Sequence, residues 1–323
     1  YTLQAGDVTI RLAKEFGFCY GVERAVEYAY QTRLKFPDKK IYLAGEIIHN
    51  PHVNAKLKEM GIVFLKPSDK GFDYTGVEPG DVVILPAFGV TIHDFETLRA
   101  IGCVMVDTTC GSVLNVWKRV EAYARDGFTA LIHGKYYHEE TRATASQVQK
   151  HAGGHYLVVR DMAEAELVCD YVEGRGDRAA FLARFARGAS PDFDPELHLA
   201  RVGVANQTTM LARESLAIAD LVGAAFERAR GAEYRAANFR SFDTICSATQ
   251  DRQDAVEALL AEPLDVMLVV GGYNSSNTMS LAALCAERVP TYHIESPDAV
   301  DVAAGTVRYR PAGAHTSEET RAG

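Results

Sequence analysis

Short apolar runs alternate with amphipathic stretches along most of this chain, and that alternation narrows the possible folds more than any other feature. "IYLAG" (41–45), "DVVILPA" (81–87), "VMVDTT" (104–109), "ALIHG" (130–134), "VGVAN" (202–206), "VMLVVGG" (266–272) and "TYHI" (291–294) have the length and composition of strands. Between them, "ERAVEYAYQTRL", "PHVNAKLKEMG", "HDFETLRAIG", "VLNVWKRVEAYARDG", "SLAALCAER" and a stretch from about Leu211 to Arg230 have the spacing of helices with one apolar face. Gly61, Gly102 and Gly127 stand where helices end. The pattern predicts an α/β architecture with largely parallel sheets. Several strands end in small polar residues: "DTTCGS", "IHGKYYHEE", "ANQTTM", "VGGYNSSN". Open α/β sheets bind ligands outside the carboxyl ends of their strands, so these ends predict one shared polar site. Residues 171–200, rich in Arg, Gly and Pro, read as a surface excursion.

Bulk properties exclude several classes of function. The 323 residues carry a net charge of −9, which is not the electrostatic footprint of a nucleic-acid binder. No apolar run reaches the roughly 20 residues of a membrane span, so no membrane partner is expected. The first residues, "YTLQAGDVTI", lack the apolar stretch of a signal peptide, and a cytoplasmic location is the expectation.

Six cysteines, at 19, 103, 110, 169, 246 and 285, are too sparse for a disulfide scaffold, and none forms a C-x-x-C pair. Cys103, Cys169 and Cys285 lie in apolar segments and read as packed thiols. Cys19 in "EFGFCYGVERAV", Cys110 in "VDTTCGSVLNVW" and Cys246 in "TICSATQDRQDA" share another context, a turn with a helix start behind it. At Cys246, Ser247 and Gln250 have the spacing of a capping box. Helix N-termini favour a thiolate, so these three are candidate ligands. Three thiolates suit zinc, although His and carboxylate ligands at tight spacing would then be expected. They also suit three irons of a 4Fe–4S cluster whose fourth iron is open to substrate. Spacing does not choose between the two.

The motifs together do. "GFCYGVERAV", "GEIIHNPHVN", "LPAFGV", "DTTC", "IHGKYYHEETRATAS", "VGVANQTTML", "TICSATQDRQDAV" and "LVVGGYNSSNT" occur in order over residues 17–280. In that combination the chain resembles the 4-hydroxy-3-methylbut-2-enyl diphosphate (HMBPP) reductase family, and "PAFG", "GKYYHEET" and "ANQTTM" are similar to its plant and cyanobacterial branch. The resemblance implies three α/β subdomains in a pseudo-threefold arrangement around a central 4Fe–4S cluster. Their expected extents are 20–109, 110–240 and 241–323 together with 1–19. It also implies that Cys19, Cys110 and Cys246 hold the cluster and that the last step of non-mevalonate isoprenoid synthesis is the reaction. Glu140 and Thr208 take the matching positions of the proton-relay carboxylate and the threonine near the substrate hydroxyl. His49, His138, Ser275, Ser276 and Asn277 match the diphosphate-binding positions. No dinucleotide-binding glycine motif follows a strand, so electrons must come from outside, and a ferredoxin or flavodoxin is the donor that the resemblance implies.

Three positions depart from the family pattern. Phe88 stands where many bacterial members have a diphosphate-binding histidine, and Gly111 follows Cys110 where Pro is usual. The last motif reads "PAGAHTSEETRAG", which places His315 at the position of a diphosphate-binding serine, where it is expected to donate to phosphate. These departures keep two alternatives in view: a paralogue reducing another substrate, and a cluster-binding regulator without turnover. A zinc hydrolase is a more distant one.

Overall fold

Apolar runs too short for helices become the central strands of three parallel sheets. The computed structural model describes residues 1–68, 71–314 and 316–321. An exposed antiparallel hairpin, β1 (Thr2–Ala5) and β2 (Val8–Arg11), comes first. The first sheet contains β3 (Ile41–Leu43) and β4 (Val63–Phe64). After a small antiparallel hairpin, β5 (Pro67–Ser68) and β6 (Gly71–Phe72), it adds β7 (Val82–Leu85) and β8 (Val104–Asp107). Its order is β4-β3-β7-β8, with every neighbouring pair parallel. The accompanying helices are α1 (Tyr20–Lys35), α2 (Pro51–Glu59) and α3 (Ile92–Ile101). All four residues of β7, "VVIL", are buried, because helices and loops cover both faces of a parallel sheet.

The second sheet follows α4 (Gly111–Arg125) and has the order β10-β9-β11-β12, again all parallel. Its strands are β9 (Thr129–His133), β10 (Tyr156–Val159), β11 (Val202–Asn206) and β12 (Phe239–Ser241). Between them run α5 (Glu139–Ser146), α6 (Met162–Val172), α7 (Arg178–Phe185), α8 (Pro195–His198), α9 (Ala212–Arg230) and α10 (Ala232–Asn238). The third part has α11 (Ser247–Leu260), β13 (Met267–Val270), α12 (Ser276–Ala286) and β14 (Thr291–Ile294), with β13 and β14 parallel. It finishes in an antiparallel sheet of β15 (Val300–Asp301), β16 (Thr306–Tyr309) and β17 (Glu318–Arg321).

Strand register aligns the carboxyl ends. Leu85 pairs with Asp107, Asn206 with His133, and Val270 with Ile294, so neighbouring strands stop at one level. The polar turns that follow therefore emerge side by side.

Two expectations need correction. Residues 171–200 are not a surface excursion: α7 and the turn after it bury Phe181, Phe185 and Phe193 in the core shared by α6, α9 and the second sheet. The charged residues between those phenylalanines mask an amphipathic helix, and Asp177 caps it by accepting from the Ala180 N–H. Nor does Ser247 cap α11. Cys246 is the N-cap residue, Ser247 already lies inside the helix, and Gln250 donates to Asp254 rather than back to the cap. Of the three thiols read as packed, Cys169 and Cys285 are buried, while Cys103 is half-buried against the first sheet.

Candidate functional site

A cavity of about 300 Å³ opens where the three sets of strand ends meet. Cys19, Cys110, Cys246, His49, His138, Glu140, Thr208, Ser275, Ser276 and Asn277 all line it. His315 lies outside the described residues.

The cysteines occupy one position three times over. Cys19, Cys110 and Cys246 are the N-cap residues of α1, α4 and α11, and none of their side chains accepts a capping hydrogen bond. Elsewhere α2, α3, α5, α6, α7, α8 and α12 are capped by Asn50, Thr91, His138, Asp161, Asp177, Asp194 and Ser275, whose side chains accept from the first turn. Cysteine is a poor cap, so its placement at these three ends gives up ordinary helix stabilisation and leaves the sulfurs out of the capping. Close approach confirms that the helix starts converge. A Cβ on Gly21 would lie 2.5 Å from Cys110 Sγ and 3.9 Å from Cys19 Sγ, so only glycine leaves this space open. Cys246 N–H donates to the Thr208 carbonyl at 3.3 Å, and Cys110 N–H donates to Ala87 at 2.8 Å. Burial pushes the Cys246 thiol up, against the lowering effect of its contacts with Thr249. Three uncapped thiols facing one cavity, flanked by unpaired helix N–H groups, fit an anionic iron–sulfur cluster held by three ligands.

Beside them, Glu140 is buried (3% exposed) in the first turn of α5. Its Oε1 accepts from the Thr208 backbone N–H at 2.6 Å. Burial pushes its carboxyl up to about 7 against the lowering effect of these Thr208 contacts, leaving a group that can hold or release a proton near neutrality. Gln207 steadies this corner, its Oε1 accepting from Lys135 N–H at 3.1 Å and Thr141 Oγ1 at 2.9 Å.

The opposite wall is unsatisfied. Among the described residues, His49 Nε2, His138 Nε2, Ser276 Oγ and Asn277 Oδ1 are buried without hydrogen-bond partners. Ser275 differs: it accepts from Thr278 N–H and Thr278 Oγ1 and so serves the helix rather than the cavity. His138 Nδ1 accepts from Glu140 N–H at 3.2 Å, which leaves the hydrogen of the neutral ring on Nε2, pointing outward as a donor. Burial, with His49 and Lys135 nearby, pushes His138 down to about 3, so it stays neutral at physiological pH. His49, His138 and Glu139 come close enough to suggest a cation site, but a hydrogen on His138 Nε2 removes one of the required lone pairs. His49 stacks on Phe88 at 4.7 Å and 16°. Gly272 lies against the His49 carbonyl, where a Cβ would overlap it, which ties the turn before α12 to the turn carrying His49. Buried polar atoms left without partners cost free energy unless a ligand meets them, and His138 Nε2 and the Ser276 hydroxyl can donate to an acceptor-rich anion.

Sequence reasoning missed Glu46, whose carboxylate lies 2.8 Å from His49 Nδ1, although an acid three residues before a histidine in "GEIIHN" was a visible signal. It also missed Thr249, whose Oγ1 is 3.0 Å from Cys246 Sγ, and Gln207, which no local pattern marks as a brace.

Comparison with known proteins identifies the family. A model of the family described as LytB protein matches residues 10–316. The 4-hydroxy-3-methylbut-2-enyl diphosphate reductase of Thermosynechococcus vestitus is 51% identical over 305 residues, covering 93% of this chain and 74% of its own. The protein of the same name from Synechococcus sp. (strain RCC307) is 50% identical over 314 residues, covering 97% and 76%. Among solved structures, one of (E)-4-hydroxy-3-methyl-but-2-enyl diphosphate reductase, the terminal enzyme of the non-mevalonate pathway, superposes with a TM-score of 0.56 at 28% identity, covering 91% of this chain and 88% of that one. The Plasmodium falciparum reductase structure shares the fold, with a TM-score of 0.66 at 22% identity over 88% of this chain and 76% of that one. The chain belongs to the LytB family, as its motifs led us to expect.

Proposed function

We propose that this member of the LytB family reductively dehydroxylates HMBPP, replacing the allylic C–O bond with C–H to give isopentenyl and dimethylallyl diphosphates and water. The observation that carries the reading is the division of one cavity into three parts: uncapped thiols, a carboxyl poised near neutrality, and a wall of unpartnered polar groups. A 4Fe–4S cluster held by Cys19, Cys110 and Cys246 would supply electrons one at a time and a Lewis-acidic iron for the departing oxygen.

The chain's own residues do the rest. The wall of His49, His138, Ser276 and Asn277 receives the diphosphate, with His138 offering a neutral N–H and the start of α12 offering backbone donors. Anchoring at that end turns the allylic hydroxyl toward Glu140 and Thr208. The reaction consumes two electrons and two protons. Glu140, its carboxyl raised to about 7, can carry a proton near neutrality and gives it up as the hydroxyl leaves as water. Thr208 holds that carboxyl through its backbone N–H, and its hydroxyl can both donate and accept along the same path. The aromatic and aliphatic lining, with Phe88, Val22 and Ile48, limits water around the reacting carbons.

The three sheets support a division into subdomains near 20–109, 110–240 and 241–323 with 1–19, with Cys19 and Cys110 at the two boundaries of the first and Cys246 in the third. We assign electron delivery to a small external carrier of the ferredoxin or flavodoxin class and place the enzyme in the cytoplasm; among the described residues no helix is long and apolar enough to cross a membrane. The test is HMBPP-dependent oxidation of a reduced viologen by anaerobically purified protein, with iron and sulfide measured on the same sample. Turnover is expected. An intact cluster without turnover would overturn the substrate assignment.

A further inference from the structure

We propose that Glu46 is a positioning residue for diphosphate binding: it fixes the His49 ring with Nε2 facing the cavity and balances the charge the ring carries when it grips an anion. This rests on the reductase reading above. Glu46 Oε2 lies 2.8 Å from His49 Nδ1. A carboxylate only accepts, so Nδ1 must carry the hydrogen, and a neutral His49 turns a lone pair toward the cavity. Diphosphate oxygens are acceptors as well. His49 therefore donates to them from Nε2 only as an imidazolium, with Glu46 as its counter-ion.

The surroundings give His49 this task and not His138. His138 is held in the opposite tautomer by the Glu140 N–H and supplies a donor without charge. Position 88 supplies no charge either, because Phe88 is a flat apolar surface that keeps the His49 ring in plane. The groups around His49 are Glu46 on its own turn, His138, Glu139 and Glu140 from the α5 end, the three cysteines across the cavity, the uncharged Ser276 and Asn277 of α12, and Arg252 of α11, whose guanidinium donates to the Ala248 and Gly17 carbonyls. Lys135 acts on His138. Glu139 Oε2 stands 3.7 Å from His49 Nε2, on the side a diphosphate would enter, and its side chain is 43% exposed. An arriving diphosphate displaces that carboxylate. Glu46, on the far side of the ring, stays as its counter-ion.

The test uses the cluster-loaded enzyme with Glu46→Gln, Glu46→Asp and His49→Gln, and reads KM for HMBPP, kcat, and the affinity for inorganic pyrophosphate. Loss of one charge-assisted contact predicts a rise of about tenfold in KM and in the pyrophosphate Kd for Glu46→Gln, while kcat should stay near wild type. Glu46→Asp should recover part of the affinity. In a His49→Gln background, Glu46→Gln should add nothing, since its effect passes through the ring. Unchanged KM and Kd in Glu46→Gln would overturn the inference, as would a loss confined to kcat or an equal loss in the His49→Gln background. Failure of the wild-type enzyme to turn over HMBPP would instead count against the reductase reading, because pyrophosphate binding reports on Glu46 independently.

Discussion

The two sides of the cavity solve opposite problems. On one side Glu140 is completed by the protein itself: buried, hydrogen-bonded to Thr208 and braced through the Gln207 corner. On the other, His49 Nε2, His138 Nε2, Ser276 Oγ and Asn277 Oδ1 find no partner among the described residues. A group that moves a proton must be held in one place with its acidity already set, so the fold supplies its contacts. A surface that recognises a ligand must leave contacts open, so the fold withholds them. The cysteine ends combine both features, positioned by backbone hydrogen bonds but with sulfurs that cap no helix.

The largest effect should come from removing what both sides face. Cys246→Ser, checked by iron and sulfide content, should abolish stable cluster binding and turnover together, because two remaining thiols cannot replace the third ligand. Next is Glu140→Gln, which preserves the acceptor for Thr208 N–H but has no proton to give. Its kcat should fall by roughly 10²–10⁴-fold, the range for general acid catalysis. The pH profile gives the same group's signature. With its carboxyl raised to about 7, the acid form dominates below that pH and is lost above it, so wild-type kcat should fall as pH rises through about 7. The Gln variant should lack that limb.

On the unsatisfied side, His138→Asn separates the two roles of one residue. Asn still caps α5 but removes the Nε2 donor, so KM should rise about tenfold with kcat little changed and the melting temperature preserved. A fall in kcat as large as that of Glu140→Gln would erase the distinction between the two sides. The smallest effect is at the start of α4. Gly111 is the first helical residue, a Cβ there meets nothing within 4 Å, and Cys110 before it is extended, at φ −64° and ψ 140°. Proline suits that position, and Gly111→Pro should raise stability by about 0.4–1 kcal/mol in a thermal melt.

Much of this was legible in the residues because it is local. The run "VVIL" has no other use than a buried strand, and "ERAVEYAYQTRL" carries the period of a helix, so β7 and α1 lie close to where the pattern puts them. The turn-borne context of Cys19, Cys110 and Cys246 likewise singled them out from three packed thiols. Where local patterns competed, reading failed. Ser247 and Gln250 imitate a capping box one residue too late, because the helix starts behind the cysteine. Phe181, Phe185 and Phe193 were hidden by charged neighbours whose exposure said nothing about the side chains between them.

The sequence by itself determined the alternation of strand and helix, the motifs that place the chain in its family, and which residue types were available for chemistry. Only the tertiary structure decided that residues from three sheets share one cavity, that Glu140 is buried enough to hold a proton near neutrality, and that Glu46 rather than Glu139 hydrogen-bonds the His49 ring. The physical reason is range. Propensity and periodicity act over a few neighbouring residues, whereas desolvation, tautomer choice and the convergence of helix ends depend on groups brought together from distant parts of the chain.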